Sequence, residues 1–160
     1  MTAFEDNLNH LLVKVYRSIE QLEEEMLQNT QGFDLSIGEM HMLEAVAEAE
    51  KDGAATITKI AELMDISLPS VTAAINKLVG KGFVSKAKSP ADGRVTLVTF
   101  TRQGRRAERA HRYFHRSMVR SVTKELTAED QASLLRGIGK LDDFLDRNIS
   151  KYKEPKANES

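Results

Sequence analysis

Two histidines stand at a spacing that suits metal binding. His111 and His115 are four residues apart in a long segment with helical periodicity, so both side chains are expected on one face of that helix. The chain contains no cysteine, which excludes a disulfide, a thiol switch and a thiolate ligand. Any metal would therefore be held by imidazoles and carboxylates, and half-buried histidines bonded to carboxylates are the plain alternative.

Covalent and phosphoryl-transfer chemistry find no support in the sequence. It contains neither a glycine-rich phosphate loop nor a nucleophile-elbow motif. We predict a protein that is not an enzyme and requires no cofactor. A metal-dependent hydrolase built on the histidines and a protein-binding module remain the competing hypotheses.

A second set of candidates lies on the outer face of a short predicted helix. Val71, Ile75 and Leu78 recur at helical spacing and predict its buried stripe. Short polar side chains that end in a cation are left outside, which suits a helix in the major groove of DNA. These outward candidates, with the expected N-cap residue first, are Ser67, Ser70, Thr72, Asn76 and Lys77.

The neighbouring elements predict a winged helix-turn-helix. Ile60, Leu63 and Met64 predict one side of a preceding short helix, and Asp65 follows where the chain must turn sharply. Residues 83–89 and 95–100 predict two strands of a hairpin, and residues 55–57 are a possible third strand. The fold class is mainly α with a small β-hairpin wing.

The predicted wing carries cations suited to DNA. Lys86 and Lys88 lie on its first strand, and Asp92 and Arg94 lie at its tip. An arginine at such a tip can enter a narrow minor groove, where the negative potential is strongest.

The net charge of −1 conceals a strong segregation of charge. Residues 1–65 hold 4 Lys/Arg and 14 Asp/Glu, whereas residues 77–116 hold 11 Lys/Arg and 2 Asp/Glu. A one-sided cationic region is what phosphate contacts require, although several arginines of the long helix are expected to be ordinary solvated residues.

Both ends of the chain carry apolar stripes, here called seams. The small winged helix-turn-helix region at 35–101, here called the head, cannot cover both of them. Residues 4–28 and the last helix repeat apolar residues every three or four positions, which is typical of helices that pack along helices. We therefore expect a homodimer on an inverted-repeat DNA site. The predicted division is a dimerisation region at 1–34 plus 102–149, a winged helix-turn-helix at 35–101 and a disordered tail at 150–160. No signal peptide or membrane-spanning run occurs, so we expect a cytoplasmic protein.

The order of elements, the Asp92-Gly93-Arg94 wing tip and the Thr101-Arg102-Gln103-Gly104 helix start resemble the MarR family of bacterial transcription regulators. The likeness extends from the first helix to about residue 147. It implies a regulator, most often a repressor, that binds double-stranded DNA. It also implies base reading by Ser67, Ser70, Thr72 and Lys77, and a minor-groove Arg94 held in place by Asp92.

The resemblance also implies an effector cleft beside the histidines. In this family such a cleft is flanked by the second helix, which would carry His41, and by the long helix, which would carry His111 and His115. With Glu23 or Glu24 as carboxylate, the imidazoles of His41, His111 and His115 would surround Zn²⁺ tetrahedrally. This arrangement is similar to the metal site of the zinc-sensing branch. That branch has a second metal site with a cysteine, which this chain lacks. The predicted zinc ligands are Glu23, His41, His111 and His115.

A second resemblance is to the FabT type of fatty-acid-synthesis repressor, carried by residues 35–41 and 111–119. In that branch the corepressor is a long acyl chain on acyl carrier protein, and arginines of the long helix would meet the acidic carrier. Without zinc or acyl chain, the histidines are structural. The candidate effector-pocket residues are Leu12, Met40, His41, Leu43, His111, Phe114, His115 and Met118.

Overall fold

The structure, a computed structural model, describes residues 2–30 and 32–153. The described chain consists of six helices and one antiparallel hairpin, which confirms the predicted fold class. The elements are α1 (Ala3–Asn29), α2 (Ile37–Lys51), α3 (Ile57–Met64), α4 (Leu68–Gly80), β1 (Val84–Lys88), β2 (Thr96–Phe100), α5 (Arg102–Lys124) and α6 (Ala128–Lys153).

Local sequence signals determine where the helices of the head begin and end. The side chain of Ser36 accepts a hydrogen bond from the Glu39 amide, and Glu39 accepts one from the Ser36 amide, which completes a capping box at the start of α2. Asp65 ends α3 in the left-handed conformation, with φ of 53°. Ser67 caps α4, and Pro69 lies in its first turn, where a missing amide hydrogen costs nothing.

The wing is a two-stranded sheet in which Val84 pairs with Phe100 and Lys88 pairs with Thr96. The predicted third strand is wrong in extent. Only an isolated bridge joins Thr56 to Leu97, because Thr56 serves as the N-cap of α3 and Ile57 already belongs to that helix.

The hydrophobic core lies beneath α4, so it fixes the face that this helix presents. Val71, Ile75 and Leu78 are completely buried, as their spacing predicted. Gly104, in the first turn of α5, packs so closely that a Cβ atom would overlap the carbonyl of Phe83. Other fully buried core residues are Met40, Leu43, Val46, Ile60 and Ala107.

Compactness divides the chain into two units, Met1–Phe114 and His115–Ser160, with the boundary inside α5. The predicted division at 1–34 plus 102–149 and 35–101 concerns contacts with a second chain, so it stays a prediction. None of the described helices combines the length and apolar character that a membrane crossing needs.

The predicted tail at 150–160 needs correction at its start. Helix α6 continues through residues 150–153, because backbone hydrogen bonding persists there without an apolar stripe. Residues 154–160 lie outside the described part of the chain.

Candidate nucleic-acid interface

The N-cap and the first two turns of α4 hold three of the predicted DNA-contacting residues. The hydroxyl of Ser67 accepts from the Ser70 amide at 3.3 Å and lies 2.8 Å from the Ser70 hydroxyl. Thr72 donates its hydroxyl to the Leu68 carbonyl at 2.8 Å. All three side chains are exposed, but their hydroxyl groups have partners within the chain.

The second half of α4 is tied to its surroundings through Asn76 and Lys77. The Asn76 amide oxygen accepts a hydrogen bond from the Lys86 ammonium of β1. The Lys77 ammonium lies 3.0 Å from a carboxylate oxygen of Glu39 on α2, while the Lys77 side chain stays largely exposed. These side chains were predicted from the sequence to contact DNA, but both already have partners within the chain.

Glu39 is a buried carboxylate that joins α2 to the end of α4. Burial on its own would raise the pKa of Glu39, but the Ser36 amide and the ammonium groups of Lys81 and Lys77 outweigh it and bring the pKa to about 2. Lys81 lies 2.9 Å from Glu39 and also donates to the Asp34 carbonyl at 2.7 Å. This ion cluster holds the C-terminal part of α4 in place.

The wing tip presents one fully solvated cation. The Arg94 side chain is 96% exposed, and its Nε lies 3.9 Å from the Asp92 carboxylate. The same carboxylate accepts from the Arg94 amide at 2.9 Å, so Asp92 shapes the turn that carries the arginine. Farther along the wing, Lys88 donates to the Thr96 hydroxyl at 3.2 Å.

A groove of about 450 Å³ lies between α4 and the wing. Its walls include the aliphatic side chains of Ile57, Leu68 and Val95, and it is flanked by Lys86 and Arg94. Helix α4 and the wing thus present a concave surface with cations beside it, a form suited to contact with a nucleic-acid backbone.

Several arginines of α5 have structural roles. Arg105 lies 2.6 Å from Glu50 and stacks on the Phe100 ring at 4.1 Å. Arg106 lies over the Phe33 ring, and Arg112 pairs with Glu108 at 3.4 Å. The cationic segment seen in the sequence is therefore partly neutralised within the head.

Predicted zinc ligands on three helices meet where α1, α2 and α5 approach one another. Glu23 is only 5% exposed, and its two carboxylate oxygens lie 3.5 Å from His41 Nε2 and 4.0 Å from His111 Nε2. His111 is 1% exposed, and its Nδ1 lies 2.8 Å from Glu44, a residue that sequence reasoning missed. His115 follows one helical turn after His111 on α5.

The residues predicted to line an effector pocket have different environments. Met40 and Leu43 are completely buried in the core, so neither borders an open channel in this structure. Leu12 is 40% exposed, and Phe114 and Met118 are half-buried, with the Phe114 ring 6.5 Å from that of His111.

Three outward residues of α4 were not selected from the sequence. Leu68 is 49% exposed, and Pro69 and Ala73 are exposed as well. Ala73 lies about 200° around the helix from buried Val71, so the helical period alone could have placed it on the outer face. Ala73 was not among the predicted DNA contacts because only polar residues of this helix were chosen.

Comparison with known proteins agrees with this geometry. Residues 35–96 match the model of the MarR family. A Bacillus subtilis protein described as the uncharacterized HTH-type transcriptional regulator YwhA is 28% identical over 138 residues, 84% of this chain and 91% of that protein. The multiple antibiotic resistance protein MarR of Escherichia coli is 32% identical over 80 residues, 49% of this chain and 56% of that protein.

A solved structure extends the similarity to nearly the whole chain. Streptococcus pneumoniae FabT in complex with DNA has a TM-score of 0.82 and 27% identity, with coverage of 89% of this chain and 98% of that one. Family model, relatives and structure are all those of transcription regulators. Residues 35–96 therefore form a MarR-family region, and over most of its length the chain is similar to DNA-binding transcription regulators.

Proposed function

We propose that this regulator is a homodimeric repressor that binds an inverted-repeat operator and responds to an effector. The observation that carries the homodimer is the apolar surface of the terminal helices. Such extended apolar surfaces are unfavourable in water and mark an interface. The exposed residues include Phe4, Leu8, Leu11 and Val15 on α1, and Leu134, Leu135, Ile138, Phe144 and Leu145 on α6.

Covering these helices with a second copy assigns residues 1–34 and 102–149 to dimerisation and residues 35–101 to DNA. Two-fold symmetry then places two α4 helices about 34 Å apart, one turn of DNA, in successive major grooves. Each wing would insert Arg94 into the adjacent minor groove, with Lys86 and Lys88 facing phosphates. Such a protein works in the cytoplasm, where it meets its operator.

The operator proposal is tested by selection from random-sequence duplexes, followed by gel shift of the enriched sequence in excess competitor. We expect an inverted repeat with half-site centres one helical turn apart, bound by two chains. Enrichment of a single half-site bound by one chain would contradict the dimer. Equal binding of all sequences would contradict an operator, and with it the function.

For the effector we propose an acyl chain on an acidic carrier. Support comes from the 27% identity to FabT over most of both chains and from the half-buried ring of Phe114, which lies 6.5 Å from the His111 ring. The cationic α5 would attract the carrier. An effector that prefers one spacing of the two α4 helices shifts the population toward it and thereby changes operator affinity.

Zinc is the second candidate effector, and one observation favours it. Glu23 is a buried carboxylate with imidazoles from two other helices within 4.0 Å. Zn²⁺ binds imidazole nitrogen and carboxylate oxygen, and the contact of His111 Nδ1 with Glu44 would leave Nε2 to face the metal. Zinc bound to Glu23, His41 and His111 would link α1 and α2 to α5, with His115 the predicted fourth ligand.

Titration with Zn²⁺ and with long-chain acyl carrier protein separates the two effectors. If zinc is the effector, it changes operator affinity in the natural chain and in His10→Ala, an exposed histidine elsewhere on α1, but not in Glu23→Gln. If the acyl chain is the effector, only the acylated carrier changes affinity. Failure of both to bind or to change affinity would contradict the effector proposal.

A further inference from the structure

The N-terminal half of α4 has an apolar outer surface, because the polar side chains of this helix and of its N-cap have partners within the chain. Ser67 and Ser70 contact each other, and Thr72 bonds its own helix, so its methyl group is the part that remains to face outward. Asn76 accepts from Lys86, and Lys77 pairs with Glu39. Between these groups, Leu68, Pro69 and Ala73 are exposed and offer no side-chain hydrogen bond.

These three residues lie where a recognition helix meets bases. The N-terminal residues of such a helix contact base edges in the major groove. Ala73 faces away from the buried stripe, Pro69 lies one turn earlier on the same side, and Leu68 borders the groove flanked by Lys86 and Arg94. The cations would hold the phosphate backbone near this apolar surface.

We propose that α4 reads the 5-methyl groups of thymines through Leu68, Pro69 and Ala73. The methyl group is the one apolar feature of base edges in the major groove, and apolar side chains contact it. Small groups at positions 69 and 73 let the helix backbone come close to the bases. Half-sites should therefore carry thymine beneath the first two turns of α4, with cytosine disfavoured there because it lacks the methyl group. This inference rests on the operator binding proposed above.

The test compares the selected operator made with thymine and the same operator made with deoxyuridine. Uracil keeps the hydrogen-bonding groups of thymine and lacks only the methyl. We expect the natural chain to bind the uracil operator more weakly, by about fourfold for each methyl that α4 covers. In Leu68→Ala and in Ala73→Ser this ratio should be smaller, because part of the apolar contact is gone.

Val79→Ala is the matched control. Val79 is an exposed apolar residue of the same helix, but it lies in the last turn, away from the proposed contact. This variant should keep the full ratio between the two operators. Leu68→Ala removes an exposed side chain and adds a strong helix former, so the variant should fold normally.

The possible results distinguish a failure of methyl reading from a failure of operator binding. Specific binding with equal affinity for both operators, or a ratio unchanged in both α4 variants, overturns methyl reading and leaves the regulator intact. Equal binding of selected and scrambled thymine-containing duplexes overturns operator binding itself. A ratio that is reduced by Leu68→Ala or Ala73→Ser and kept by Val79→Ala supports the proposal.

Discussion

Apolar residues of the head are largely buried, whereas many apolar residues of the terminal helices are exposed. In the head, Val71, Ile75 and Leu78 of α4 are completely buried by neighbours within the chain. On α6, Leu135 is 73% exposed and Ile138 is 54% exposed, although both belong to apolar stripes of similar spacing. Periodicity alone therefore does not tell whether a stripe finds its partner in the same chain.

The difference indicates a division of labour. A head whose core is complete can fold and present α4 and the wing in a fixed geometry. Terminal helices with uncovered seams need a second surface, and a copy of the same chain supplies one of matching pattern. We therefore expect substitutions in the apolar stripes of the terminal helices to dissociate the dimer, whereas substitutions in the head should change stability or DNA contact.

The largest effect is expected from charge placed on the uncovered seam of α6. Ile138→Glu combined with Leu145→Glu would bury carboxylates in the proposed interface, which costs roughly 3 kcal/mol or more. We expect the dimer dissociation constant, measured by analytical ultracentrifugation, to rise by at least about 100-fold. Operator affinity should fall with it, because two linked heads gain from effective concentration.

A matched change outside the seam provides the control. Lys140→Glu alters an exposed side chain of α6 between the two seam positions and should leave the dissociation constant nearly unchanged. If the doubly substituted chain sediments as the natural protein does, the seam of α6 is not an interface.

A large effect on the head is expected from Gly104→Ala. The added methyl group would overlap the Phe83 carbonyl where α5 leaves the wing, so the backbone must shift. Overpacking against backbone is expected to lower the free energy of unfolding by about 3 kcal/mol. Urea denaturation measures the loss.

The comparison variant for that substitution is Gly137→Ala in α6. A Cβ atom there meets nothing within 4 Å, and alanine is the better helix former, so a small gain in stability is expected. Similar stability of the two variants would contradict the packing described for Gly104.

The sequence was sufficient for the features that depend on near neighbours. The capping box of Ser36 and Glu39, the left-handed Asp65 and the N-cap of α4 all follow from residue types at fixed spacing. The wing tip was also recognisable, because Asp92, a glycine and Arg94 form a turn signal. Such features need no knowledge of distant contacts.

Features that depend on distant contacts were missed. The pairing of Glu39 with Lys77 and Lys81 was not predicted, because the two lysines lie about 40 residues away along the chain. Thr56 fits a strand as well as an N-cap, and its place was decided by the packing of α3. Sequence spacing also could not tell whether Met40 lines an open channel or lies within the core, where it is completely buried.

An intermediate effect is expected from Glu39→Gln. Because the pKa of Glu39 falls from an ordinary 4.5 to about 2 on folding, its charge stabilises the fold above pH 4.5, and this contribution is lost as the pH falls toward 2. The variant should be less stable than the natural chain by roughly 2 kcal/mol at pH 7, with a smaller difference at pH 3.

Urea unfolding at both pH values measures this difference, and Glu62→Gln is the exposed control on α3. A stability difference between Glu39→Gln and the natural chain that is the same at pH 7 and pH 3 would show that the ion cluster does not stabilise the head.

The smallest effect concerns the wing alone. Arg94→Ala removes a solvated cation without touching the core, so stability should not change. Operator affinity should fall about tenfold, and the salt dependence should flatten by about one released counterion per head. Gel shifts at several salt concentrations measure both, with Arg136→Ala on α6 as the arginine control. An unaltered salt slope would argue against wing contact with DNA.

Native mass spectrometry of the natural chain, alone and with the selected operator, tests the pairing of heads most directly. We expect a species of twice 17.9 kDa at micromolar concentration and a complex of two chains on one duplex. A monomer in solution that binds one chain per duplex would contradict it.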